Sequence, residues 1–188
     1  MRIRRNRFTR ALVVLVVWMM TAPAWAGGKK TMVYVGTLAR GSSKGIYAFR
    51  LDRGTGRLDS LGLAVETVNP AFLAIHPNRR VLYAVGDIPD SSGRKIGTVS
   101  AFAIHPKTGK LTLLNRAPAG GGDPTYVCTD RAGRNLLVAN YTGGNIAVIR
   151  IRGDGSLGEV SALVQHSGSS KPSTRDLSLA HASIHPVQ

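Results

Sequence analysis

The feature that most constrains this chain is internal self-similarity at a period of about fifty residues, the mark of an architecture built from stacked units. The segment FLAIHPNRRVLYAVGD (72–87) recurs in pattern 54 residues later as YVCTDRAGRNLLVANY (126–141), which sets His76 over Asp130, Arg80 over Arg134 and Leu82 over Leu136. In each copy an apolar run passes through a polar turn into a second apolar run, as two antiparallel strands with a tight connection would. A second unit interleaves with the first: GIYAFRLDRGTGRL (45–58), TVSAFAIHPKTGKL (98–111) and NIAVIRIRGDGSL (145–157). Each drives β-branched and aromatic residues into a turn carrying Gly56, Gly109 or Gly155. Glycine supplies the positive φ that such hairpin turns require.

Together the two units make four short strands per repeat, and no helical periodicity follows residue 26. This predicts an all-β fold, a β-propeller of four-stranded antiparallel blades. An eight-stranded sandwich also yields short strands at regular spacing, but it does not call for repeated sequence at repeated offsets. The repeats start near Met32, Phe72 and Tyr126, and a fourth begins at His181, where Ile184-His185-Pro186 echoes Ile75-His76-Pro77. The reading is therefore a partial propeller of about three blades, where closed rings use 4–8. Such a chain is expected either to be the N-terminal part of a longer protein or to be a shortened product that self-assembles or lacks a C-terminal half.

Ahead of the repeats, Arg2, Arg4, Arg5, Arg7 and Arg10 precede an apolar run from Ala11 to Met20 and an Ala24-Trp25-Ala26 end. This is the pattern of a secretory signal peptide, and the run is short of the roughly 20 residues of a spanning helix. The expected division is a signal peptide over 1–26, cleaved after Ala26, and a partial propeller domain over 27–188. An uncleaved anchor and a twin-arginine signal at Arg4-Arg5 remain open; each places the domain outside the cytoplasm, with membrane contact limited to export or anchoring. Loss of the leader's five arginines lowers the formal net charge from +15 to +10. The remaining basic residues are dispersed among turns without aromatic interleaving, so no nucleic-acid partner is expected. A single cysteine, Cys128, excludes a disulfide framework, and its place in a strand-like run predicts a buried, inert thiol. Five scattered histidines with no nearby carboxylate or thiol spacing give no metal signature, and His76 and His105, each in Ile-His-Pro, read as turn residues.

Several stretches carry a resemblance: VYVGT (33–37), RGSSKGIYAFRLD (40–52), ETVNPAFLAIHP (66–77), LYAV (82–85), GTVSAFAIHPKTGKLTLLN (97–115), LLVANYTGGNIAV (136–148) and DGSLGE (154–159). Through them the chain resembles the bacterial lactonase family of seven-bladed β-propellers, which includes propeller-type 6-phosphogluconolactonases. The resemblance implies hydrolysis of a sugar lactone, with the lactone as small-molecule partner and no cofactor. Such a reaction needs a base for water and donors for the tetrahedral oxyanion. The repeat places channel entries at Asn69-Pro70, Asp123-Pro124 and the segment around 179–183. In the family the third entry usually reads Gly-Pro-His-Ala-His-Ser or a close variant; here it is Ser-Leu-Ala-His-Ala-Ser. In direct register this sets Ala180 and Ala182 at the two histidine positions and turns His181 to the opposite face, whereas a one-residue deletion pairs His181-Ala182-Ser183 with the His-Ala-Ser of the variant motif.

The resemblance therefore implies His181 as general base and Asp87 as a second catalytic group, with Asn69, Asn140 and Tyr141 facing substrate. Gly86-Asp87 stands where relatives have Asn-Glu, and Leu38 where they have Tyr. A non-catalytic propeller fragment acting as a binding or assembly module is the alternative function.

Overall fold

The computed structural model describes residues 30–38, 42–89, 91–93 and 95–167. They form three antiparallel meanders. Blade 1 contains β1 (Lys30–Gly36), β2 (Gly45–Asp52) and β3 (Leu58–Glu66). Blade 2 contains β4 (Phe72–Ile75), β5 (Val81–Pro89), β6 (Lys95–Ile104) and β7 (Leu111–Pro118). Blade 3 contains β8 (Pro124–Thr129), β9 (Asn135–Asn140), β10 (Asn145–Ile151) and β11 (Leu157–Gln165). Strands pair in chain order within each blade and nowhere between blades, as a propeller requires and a Greek-key sandwich does not. Four strands per repeat hold for blades 2 and 3, while the described part of blade 1 has three. The expected leader, and the fourth repeat with His181, lie outside the described residues.

The blades stack face to face, and β5 shows why. Its run Val-Leu-Tyr-Ala-Val is continuously apolar because both faces are covered. Val81, Tyr83 and Val85 join Val127, Leu136, Val138, Ala147 and Ile149 in the core between blades 2 and 3. Leu82 and Ala84, turned the other way by the period of two, join Ile46, Ala48 and Phe102 between blades 1 and 2. Burying a side chain of this size stabilises by roughly 1.5–3 kcal/mol.

The 54-residue offset recurs as hydrogen bonds. In the β4–β5 turn His76 N donates to Val81 O (2.9 Å) and Arg79 N to His76 O (2.8 Å); in the β8–β9 turn Asp130 N donates to Asn135 O (2.9 Å) and Gly133 N to Asp130 O (3.0 Å). Arg79 (φ 60°) and Gly133 (φ 68°) share the left-handed position of this turn. Polar pins cross between blades. Tyr83 Oη donates to Gly155 O at 2.9 Å. The Asn115 amide bonds both backbone groups of Leu157, at 2.7 and 2.9 Å.

His76 Nδ1 accepts from Asn78 N at 3.1 Å, so Nε2 is the donor to Gly133 O at 2.9 Å; this tautomer is assigned from its partners. His105 Nδ1 accepts from Thr108 N at 3.3 Å. Both histidines are thus committed to turns. Cys128, expected to be buried, is only partly so, because β8 is the edge strand of its sheet; burial still pushes its thiol upward, away from the reactive thiolate.

Candidate functional site

The site is built where strands leave and enter the blades at one end of the stack. There β5 ends past Asp87, β9 ends at Asn140, and the loops into β4 and β8 turn on Asn69 and Asp123. Asn69 (φ 47°) and Asp123 (φ 54°) both hold the left-handed conformation immediately before a proline. Asn and Asp tolerate this region better than other side-chain-bearing residues, which accounts for the residue types at equivalent entry positions.

Period-two alternation turns Asp87, like Val81, Tyr83 and Val85, toward blade 3. Its carboxyl is held above its ordinary value of 3.8, first by burial and second by the charge of Asp123, with Lys95 opposing. Tyr141 occupies the repeat position of Asp87, and its backbone N donates to Asp123 O at 2.9 Å. Asp87 and Asp123 thus gather in one corner between blades 2 and 3, and Tyr141 reaches it through its backbone. Leu136 and Val138 face this layer, so the alternation turns the Tyr141 side chain toward the other face of blade 3. Asn69 enters from the blade 1 side, where Gly86 is packed so closely that an added Cβ would lie 2.7 Å from Val68 O and 2.9 Å from Asn69 O.

Asn140 is placed differently from the other expected contacts. Only 2% exposed, it donates through Nδ2 to Ala119 O (2.9 Å) and to Asn145 Oδ1 (2.8 Å), while Asn145 Nδ2 donates to Gly120 O (3.3 Å). Both Nδ2 contacts are acceptors, which fixes the amide's orientation and leaves Oδ1 buried without a protein partner. The pair of asparagines therefore ties the glycine-rich loop ahead of Asp123 to the end of blade 3.

Among the residues named from sequence, the structure sets Asp87 beside Asp123, leaves the Tyr141 side chain on the other face of blade 3, sets Asn140 behind the loop and puts Asn69 across blade 2. His181 lies outside the described residues. Asp123 had been read only as a channel entry, yet its signal was present: Asp123-Pro124 repeats Asn69-Pro70 at the 54-residue offset. Asn145 left no comparable signal, because its role depends on a cross-strand pairing with Asn140. Among the described residues no group of three His, Cys, Asp or Glu could hold a metal ion, and no helix is long and apolar enough to cross a membrane.

Comparison with known proteins matches a family model described as Lactonase, 7-bladed beta-propeller, over residues 32–186. A 6-phosphogluconolactonase of Bacillus subtilis (strain 168) is 34% identical over 139 residues, covering 74% of this chain and 38% of the relative. A solved structure from Bacteroides fragilis aligns with TM-score 0.70 and 35% identity, covering 80% of this chain and 40% of the other. The periplasmic gluconolactonase of Pseudomonas aeruginosa aligns with TM-score 0.64 and 31% identity, over 73% of this chain and 39% of its own. The chain thus spans about 38–40% of the length of the proteins it matches.

Proposed function

The chain belongs to the lactonase family of seven-bladed β-propellers, and from that membership we propose that the protein hydrolyses a sugar lactone of the gluconolactone type to its open-chain acid. The observation that carries this reading is the family match over residues 32–186, supported by similarity to proteins named 6-phosphogluconolactonase and gluconolactonase.

In this reaction His181 takes a proton from water as the water oxygen attacks the lactone carbonyl carbon. An imidazole whose unperturbed pKa is near 6.5 suits that task at neutral pH. The tetrahedral intermediate then collapses with cleavage of the bond between carbonyl carbon and ring oxygen. Asp87 donates a proton to that departing oxygen, leaving a carboxylic acid and a hydroxyl. Its raised pKa supports the role, since burial and the neighbouring Asp123 keep the acid form populated to higher pH than in an ordinary aspartate. Asn69 contacts the sugar from the blade 1 side of blade 2 and Tyr141 from the end of blade 3, and Asn140 supports them by holding the loop that carries Asp123.

The leader over residues 1–26 supports export and cleavage after Ala26, consistent with a structural neighbour being a periplasmic enzyme. The substrate then is a lactone met outside the cytoplasm. Two variants test the assignment: His181→Ala and Asp87→Asn are each expected to lower kcat for glucono-lactone opening by about 100-fold or more. Variants that turn over at the unaltered protein's rate contradict these roles.

A further inference from the structure

We propose that blade 2 carries a second ligand site, on the side opposite Asp87: a cleft centred on Arg116 that holds the oxyanion of a small hydroxylated acid, a sugar carboxylate or a sugar phosphate. The cleft lies between blades 1 and 2 and has a volume of about 460 Å³, within the usual range for small-molecule sites. Its walls include Lys44, Glu66, Thr67, Val68, Ile88 and Arg116. Asp87 is separated from it by the sheet: Ile88 is the next residue on β5 and turns to the other face.

The repeat itself singles out Arg116. On blade 2 Arg116 pairs with Ser100; the corresponding cross-strand pairs are Tyr47 with Leu63 on blade 1 and Ala147 with Leu163 on blade 3. Two blades thus place a leucine where blade 2 places an arginine. Leu163 is 52% exposed at this position, with its Cδ1 on the side of Gly120 in the preceding loop. Arg116, exposed at the equivalent position, is tethered to its own sheet by a hydrogen bond. Its Nε donates to Ser100 Oγ at 3.0 Å, and Ser100 is only 5% exposed. The one-point tether leaves the terminal amino groups of the guanidinium available as a fork, the geometry that matches a carboxylate or phosphate with two parallel hydrogen bonds.

Charge points the same way. Among the described residues the ion pairs are Lys44–Glu66, at 3.7 Å, and Arg57–Asp59, so the one acid in the cleft already faces Lys44 and Arg116 has no counter-ion. Val68 and Ile88 offer apolar contact for a carbon chain, and Thr67 a hydroxyl for the polyol.

Isothermal titration calorimetry on the full chain tests this without reference to catalysis, so it stands or falls separately from the hydrolytic reading. The probes are gluconate, inorganic phosphate and neutral glucose. Saturable binding of gluconate or phosphate, with none of glucose, is expected; gluconate alone identifies a carboxylate site, and phosphate binding identifies a phosphate site. Arg116→Leu, which imitates blades 1 and 3, should weaken binding at least tenfold, and Arg116→Lys should weaken it measurably by removing the fork. Leu58→Ala, at an exposed position outside the cleft, should leave it unchanged. Absence of anion binding, equal binding of glucose, or binding retained at full strength in both Arg116 variants overturns the proposal.

Discussion

Two effects oppose ionisation of the Asp87 carboxyl: it is partly buried, and Asp123 presents a like charge, while Lys95 pulls the other way. A folded-state pKa above the unfolded value means that the contribution of this group to stability is fully present below about pH 3.8 and is lost as pH rises through the raised value. Removing the charge should therefore stabilise the fold where the aspartate would be ionised. Asp87→Asn is expected to raise Tm at pH 7 and to give no advantage at pH 3, as followed by circular dichroism melts at both values; a lower Tm at pH 7 contradicts the account. Asp87 could be picked out in the sequence through its strand and its family position. Arg116 could not, because among dispersed basic residues nothing local marks it; its meaning lies in pairing with Ser100 sixteen residues earlier and in the leucines at the equivalent positions of the other blades.

The turns and strands were the most legible elements, for a physical reason. A repeat that must stack on copies of itself has to reproduce both its turn conformations and its inward faces, so the 54-residue offset carries the hydrogen bonds of the β4–β5 and β8–β9 turns with it. The offset also exposes one mismatch: Arg79 holds at φ 60° what Gly133 holds at φ 68°. A side chain in the left-handed region costs about 1–2 kcal/mol. Arg79→Gly is expected to stabilise by roughly 1 kcal/mol after glycine's greater unfolded-state entropy is counted, measured as a higher urea midpoint at unchanged slope. The reverse kind of change, Gly133→Ala, should destabilise, because the new Cβ would meet the His76 ring as well as the positive φ. Contacts between blades, such as Tyr83 Oη to Gly155 O or Asn115 to Leu157, were invisible in the sequence, since they join residues 72 and 42 positions apart.

Across the whole molecule, stability resides in the layers between blades more than in any single sheet. Leu136 is fully buried in the layer joining blades 2 and 3, whereas Leu58 is 48% exposed on an outer strand of blade 1. Leu136→Ala is accordingly expected to cost about 2–5 kcal/mol in chemical denaturation, and Leu58→Ala to stay within about 0.5 kcal/mol of the unaltered protein. The same layering creates both candidate sites, because each blade presents one face to the blade before it and the other to the blade after it. Asp87 lies on one side of blade 2 and Arg116 on the other.

The activity proposed for the protein is the opening of lactones. Acid release from glucono-1,5-lactone, followed at constant pH with the purified full chain, tests it most directly. A saturable rate that rises with protein concentration and exceeds spontaneous opening is expected; a rate indistinguishable from the spontaneous one at every protein concentration rules the activity out.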